Sequence, residues 1–142
     1  MAGYVTKHAS YVYEGTYKAA EALTNGVFVE IAAAGVKKIT AKGDAVLRVD
    51  AKEMLFGKKA LRLSVVDAGS KDHFFVENEW DHAMCCEWNL ADYEIAIGDY
   101  VKMHRLVTGD QLIMSVDDTV YAAVDVGDTV NPNVGGSVVK TA

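Results

Sequence analysis

A chain of 142 residues, 51% hydrophobic and 24% charged, can bury one core but is too short for two ordinary domains. Its formal charge of −6 argues against a phosphate-binding surface, because nucleic-acid binders concentrate Lys and Arg. No apolar stretch approaches the roughly 18 to 20 residues of a membrane-spanning helix, so neither nucleic acid nor a membrane is an expected partner.

The N-terminus lacks the basic-then-apolar pattern of a cleaved signal. The two cysteines, Cys85 and Cys86, are adjacent, and a disulfide between them would be strained and close no useful loop. Reduced thiols made in a cytoplasm are expected.

Residues 1–20 carry Tyr4, Tyr11, Tyr13 and Tyr17 among small and polar residues with few aliphatics. This reads as an extended arm, either folded back on its own domain or laid across a neighbouring subunit, ahead of a domain at 21–142. Tyr17 to Leu23 is open to a short helix. Asn25-Gly26 is a turn dipeptide, and the β-branched and aromatic run Val27 to Ile31 after it suits a strand. Ala45 to Val49 predicts a second strand. Asp50 to Phe56 then has an Asp-x-x-Glu capping pattern with Gly57 as terminator, which predicts one to two turns of helix.

Leu61, Leu63 and Val65 alternate with Arg62 and Ser64, the period of a half-buried strand. His73 to Val76 is another short apolar run. From Trp80 to Leu90 the alternation is lost, which predicts a packed loop or short helix plugging one end. Strands are then expected at Val101 to His104, Leu112 to Ser115, Val120 to Val124, Asp128 to Val130 and Gly136 to Lys140. Gly-Asp pairs punctuate the chain at Gly43-Asp44, Gly98-Asp99, Gly109-Asp110 and Gly127-Asp128. Glycine permits positive φ and aspartate bonds nearby backbone, so each pair ends one element and starts a strand. Their unequal spacing excludes a repeat of fixed period. The expected fold is all-β: a single small antiparallel barrel or sandwich with one or two short helices.

Asp72-His73, Asp81-His82 and Cys85-Cys86 supply every ligand type zinc uses, yet adjacent cysteines point apart in a strand and no paired spacing accompanies them. Buried structural thiols are the better reading, and no metal or cofactor is expected. Cys85 or Cys86 with His73, His82 or His104 has no elbow or oxyanion hole to support a nucleophile. Glu77, Glu79, Asp81 and Glu87 read as a solvated edge rather than a glycosidase pair. Nothing predicts an enzyme. Trp80 and Trp88 suit core packing first, and a sugar-stacking or interface role second.

The stretches Ala22 to Val29, Gly98-Asp99-Tyr100-Val101, Val126 to Val130 and Gly135 to Val139 give this chain an order of elements that resembles a family of tailed-bacteriophage capsid decoration, or cement, proteins. The resemblance covers most of residues 20–140. It implies a non-enzymatic virion protein on the capsid exterior, made in the host cytoplasm. Such a protein stabilises the shell by binding the major capsid protein lattice, and it self-associates there as a dimer or trimer. Tyr4, Tyr11, Tyr13, Tyr17, Trp80 and Trp88 are the expected partner-binding residues. The other reading is a ligand- or glycan-binding module that uses the Trp80 to Trp88 loop.

Overall fold

The computed structural model describes residues 3–7, 13–55, 57–77 and 94–141. The strands are β1 (Gly3–Lys7), β2 (Tyr13–Lys18), β3 (Leu23–Thr24), β4 (Phe28–Ala32), β5 (Gly35–Lys38), β6 (Val46–Leu55), β7 (Lys58–Asp67), β8 (His73–Val76), β9 (Glu94–Ile95), β10 (Tyr100–Arg105), β11 (Gln111–Ser115), β12 (Thr129–Pro132) and β13 (Val138–Lys140), with one helix, α1 (Asp118–Ala123), before β12. They form a six-stranded sheet in the order β1-β11-β7-β6-β12-β13, a five-stranded sheet β2-β10-β8-β4-β5, and a ribbon β3-β9. The sheets are antiparallel and no barrel closes, so the all-β expectation resolves to a sandwich.

The alternation in β7 sets the six-stranded sheet. Leu61, Leu63 and Val65 face inward, where Leu47 and Val49 of β6 and Leu112 and Met114 of β11 meet them. Phe28 and Phe75 pack into the same core from the other sheet, their ring centroids 5.2 Å apart. A second core fills the far side of the five-stranded sheet: Val29, Phe74, Val76, Val101 and Met103, covered by Ala19, Val36 and the paired Leu23 and Ile95. β8, and β4 at Phe28 and Val29, are therefore buried on both faces, and there they carry apolar runs instead of alternation.

The five-stranded sheet curls until its edges touch. Ala19, just past β2, forms a parallel bridge with Val36 of β5, and Ala20 N–H donates to the Val36 carbonyl at 2.8 Å. The seam is one bridge long, which leaves the sheet curled and unclosed.

The N-terminal segment folds back on its own domain. β1 pairs with β11 and β2 with β10, so residues 3–7 and 13–18 join opposite sheets of their own domain. Gly3 lies so close to the chain that a Cβ there would sit 2.6 Å from the Gly26 Cα and 2.7 Å from the Ile113 carbonyl oxygen. Glu77 accepts the Val5 N–H at the open edge of β1, tying the two sheets together.

Two local expectations are corrected, and one left open is decided. Asp50 to Leu55 continues β6 rather than forming a helix. Its acids serve the sheet: Asp50 takes the Ser64 hydroxyl and the Arg48 guanidinium, and Glu53 pairs with Arg62 at 3.0 Å. Tyr17 and Lys18 finish β2, and Leu23 lies in β3, so no helix runs from Tyr17 to Leu23. Val120 to Val124 is no strand, because Asp117 caps α1 by accepting the Val120 N–H at 2.8 Å. Val120 and Val124, four residues apart, then turn one helical face toward the main core while Tyr121 packs beside them. The expected plug at Trp80 to Leu90 lies outside the described residues.

Candidate interaction surface

The Gly-Asp turns share one construction at three of their four positions. The aspartate N–H donates to the carbonyl three residues back: Asp99 to Ala96 at 3.1 Å, Asp110 to Val107 at 2.9 Å and Asp128 to Asp125 at 3.0 Å. The intervening glycines take φ of 89°, 100° and 97°, the sign that the third position of a type II turn requires. In two of the turns the carboxylate also accepts the N–H three residues back, Asp110 from Val107 and Asp128 from Asp125, each at 2.9 Å. A strand follows each pair at once. Gly43-Asp44 is built differently: Asp44 reaches across to Ser70 and Lys71, accepting both backbone N–H groups and the Ser70 hydroxyl.

This frame places exposed apolar side chains around the seam of the curled sheet. Ile97, on the Gly98-Asp99 turn, is 70% exposed, Tyr100 57%, Tyr17 41% and Ile31 36%. Their elements meet at the seam, with Tyr17 and Tyr100, which pair with successive residues of the opposite strand, on opposite faces of the sheet. Tyr100 stands opposite Lys18, whose ammonium lies 5.4 Å from the Tyr100 ring centroid, and Tyr17 stands opposite Val101. The turn is bonded to Ala19 in both directions, at 2.8 and 2.9 Å. Ala19 bridges Val36, and Val36 pairs with Ile31. Ion pairing at the rim is loose, with Lys38 and Glu21 3.9 Å apart.

Of the residues expected to bind a partner, Tyr17 belongs to this surface. Tyr4 does not: it packs with Leu55, Ala60 and Ile113 on the outer face of the six-stranded sheet. Tyr13 lies in β2 but its side chain falls outside the described residues, as do Tyr11, Trp80 and Trp88. Ile97 and Tyr100 were missed, although the sequence marks both by their positions beside a Gly-Asp pair.

The titratable clusters resolve into separate structural pairs. Asp72 binds Arg105 at 2.8 Å, and His73 stands opposite Glu30 in the sheet. Burial lowers the His73 pKa, with Glu30 acting the other way. The Thr40 N–H, at 2.7 Å, is the largest influence lowering that of Glu30. His104 and Asp110 are fully buried together, 2.9 Å apart. Asp81, His82, Cys85, Cys86, Glu79 and Glu87 lie outside the described residues, and among the described residues no three potential ligands converge on a metal position.

Two cavities flank α1. One, of about 240 Å³, is lined by Lys58, Ser115, Val116, Asp117 and Ser137. The other, of about 160 Å³, lies between α1 and β13 and is mainly apolar. No protein-family model, curated protein or solved structure matches the chain.

Proposed function

We propose that this protein is a non-enzymatic structural component of a bacteriophage virion, binding the major capsid protein lattice on the capsid exterior and stabilising it in many copies. The exposed apolar residues Tyr17, Ile31 and Tyr100 around the seam are the observation that supports this reading. Clustered exposed apolar residues mark sites of protein contact, and aromatic side chains are favoured anchors there. The edges favour side-chain contact over strand addition, since Glu77 occupies the β1 edge, β2 and β5 meet at the seam, and the remaining edge of the six-stranded sheet, β13, is three residues long. Modest contacts of this kind become firm attachment when many linked copies bind one lattice, and self-association as a dimer or trimer would add to that effect.

The test is co-sedimentation of purified protein with capsids that lack it. Wild-type protein should pellet with them, and Tyr17→Ala/Tyr100→Ala should remain mostly in the supernatant with unchanged thermal stability. Folded wild-type protein that stays in the supernatant would refute the reading.

A further inference from the structure

One of the Gly-Asp turns leaves its acid exposed. Asp110 is buried against His104, Asp128 holds the Asp125 N–H and the Lys140 ammonium, and Asp44 holds Ser70 and Lys71. Asp99 is exposed, and among the described residues its carboxylate has no hydrogen-bond or ion-pair partner. Two residues earlier, Ile97 is the most exposed large hydrophobic side chain among the described residues. The turn is a peg: an aliphatic group and a carboxylate, held by its own Asp99–Ala96 bond and by the bonds to Ala19.

A socket of matching character lies at the edge of the six-stranded sheet. Thr119, Val120, Ala123 and Val124 of the α1 segment face Val139 and Lys140 of β13 across the cavity of about 160 Å³. A cavity of about 150 Å³ accommodates a benzene molecule, so this one admits a single aliphatic side chain. Lys140 lines this cavity, and its half-exposed ammonium lies 3.2 Å from Asp128. A surface ion pair of this kind holds its partners weakly, and Lys140 is free to share a second carboxylate. Residues two apart lie at most roughly 7 Å from each other along the chain, so an isoleucine seated in the cavity brings its neighbouring aspartate to that ammonium.

We infer that the Ile97–Asp99 turn of one copy docks into the α1/β13 socket of a second copy of this chain. The inference rests on the many-copy reading above and supplies its self-association with a surface. Peg and socket belong to different patches, so the contact is of the peg-to-socket kind that builds closed rings or extended rows.

Sedimentation velocity of the full chain without capsids tests the docking apart from capsid binding. Wild-type protein should assemble as concentration rises, whereas Ile97→Asp and Ala123→Phe, both at exposed positions, should each weaken assembly more than about tenfold, as loss of one buried aliphatic anchor implies. Thr119→Phe serves as a second socket variant should Ala123→Phe melt early. An equimolar mixture of the peg and socket variants should recover a 1:1 dimer and nothing larger, since one intact peg still meets one intact socket. Wild-type protein that stays monomeric at every concentration, variants that assemble like wild type, or a mixture that fails to pair would each overturn the docking while leaving capsid binding to its own test.

Discussion

His104 and Asp110 meet 2.9 Å apart with both side chains fully buried, closing the loop between β10 and β11 from within. The same Asp110 carboxylate accepts the Val107 N–H at 2.9 Å. Asp110→Ala strips a partner from the buried His104 ring and from the part-buried Val107 N–H, and the expected loss is about 2 to 4 kcal/mol. Asp110→Asn keeps an acceptor oxygen and should fall between that variant and wild type. Urea denaturation gives both values, and a loss near zero for the alanine variant would show that water replaces the carboxylate.

Gly3 tests whether the N-terminus is part of the fold. Alanine there would press its methyl on backbone atoms of Gly26 and Ile113, and overpacking against atoms that cannot rotate away costs about 1 to 3 kcal/mol. Gly15→Ala is the control, since the nearest atom to its Cβ is the Lys102 Cγ at 3.8 Å. Thermal melts should separate the two variants, and equal melts would return β1 to the status of a loose arm.

Stability should decline in acid between roughly pH 4 and pH 2. The Ser70 hydroxyl, followed by the Ser70 N–H, lowers the Asp44 pKa to about 2. The Asp125 N–H and then Lys140 lower that of Asp128, and Glu30 is lowered as well. A carboxylate with a folded pKa below its unfolded value stabilises the fold above the unfolded value, and that contribution is lost as pH falls through the folded one. Asp44→Asn should flatten this part of the profile and leave the region above pH 5 with a similar slope. A profile for Asp44→Asn that parallels wild type from pH 5 to pH 2 would remove Asp44 from the account.

α1 has no fully buried residue, and its attachment draws on Tyr121. The Lys52 ammonium lies 4.3 Å from the ring centroid while donating to the Val124 carbonyl, and Lys59 lies 5.4 Å away while pairing with Asp118. Tyr121→Leu keeps apolar bulk but loses the ring face, and should cost about 0.5 to 1 kcal/mol. Tyr121→Phe should match wild type in the same denaturation assay. Equal losses in the two variants would point to the hydroxyl instead.

The strands that face one core were legible because alternation reports burial directly, as in Leu61 to Val65. Two misreadings came from signals that are local and ambiguous. Asp50 and Glu53 have the spacing of a helix cap, yet their partners Arg48, Ser64 and Arg62 lie on neighbouring strand positions, and a pairwise tertiary contact leaves no mark at that spacing. Val120 to Val124 is too short an apolar run to separate period 2 from period 3.6, and Asp117 was the discriminating residue. The candidate surface was half visible: Tyr17 stood out by type, whereas Ile31 joins it only through the Ala19–Val36 bridge, a contact between chain segments that meet only once the sheet has curled.

In the three turns of common design, aspartate and glycine perform the closure, and the second turn position, Ile97, Thr108 or Val126, makes no backbone bond that the turn needs. Ile97 and Val126 are both largely solvent-exposed. Ile97 and Val126 can change side chain without loosening the strands they join, whereas the Thr108 hydroxyl accepts the Ala68 N–H at 3.2 Å, so two of the three turns carry interchangeable fittings on a fixed chassis. Partner preference could thus drift among related chains while the sandwich beneath stays the same.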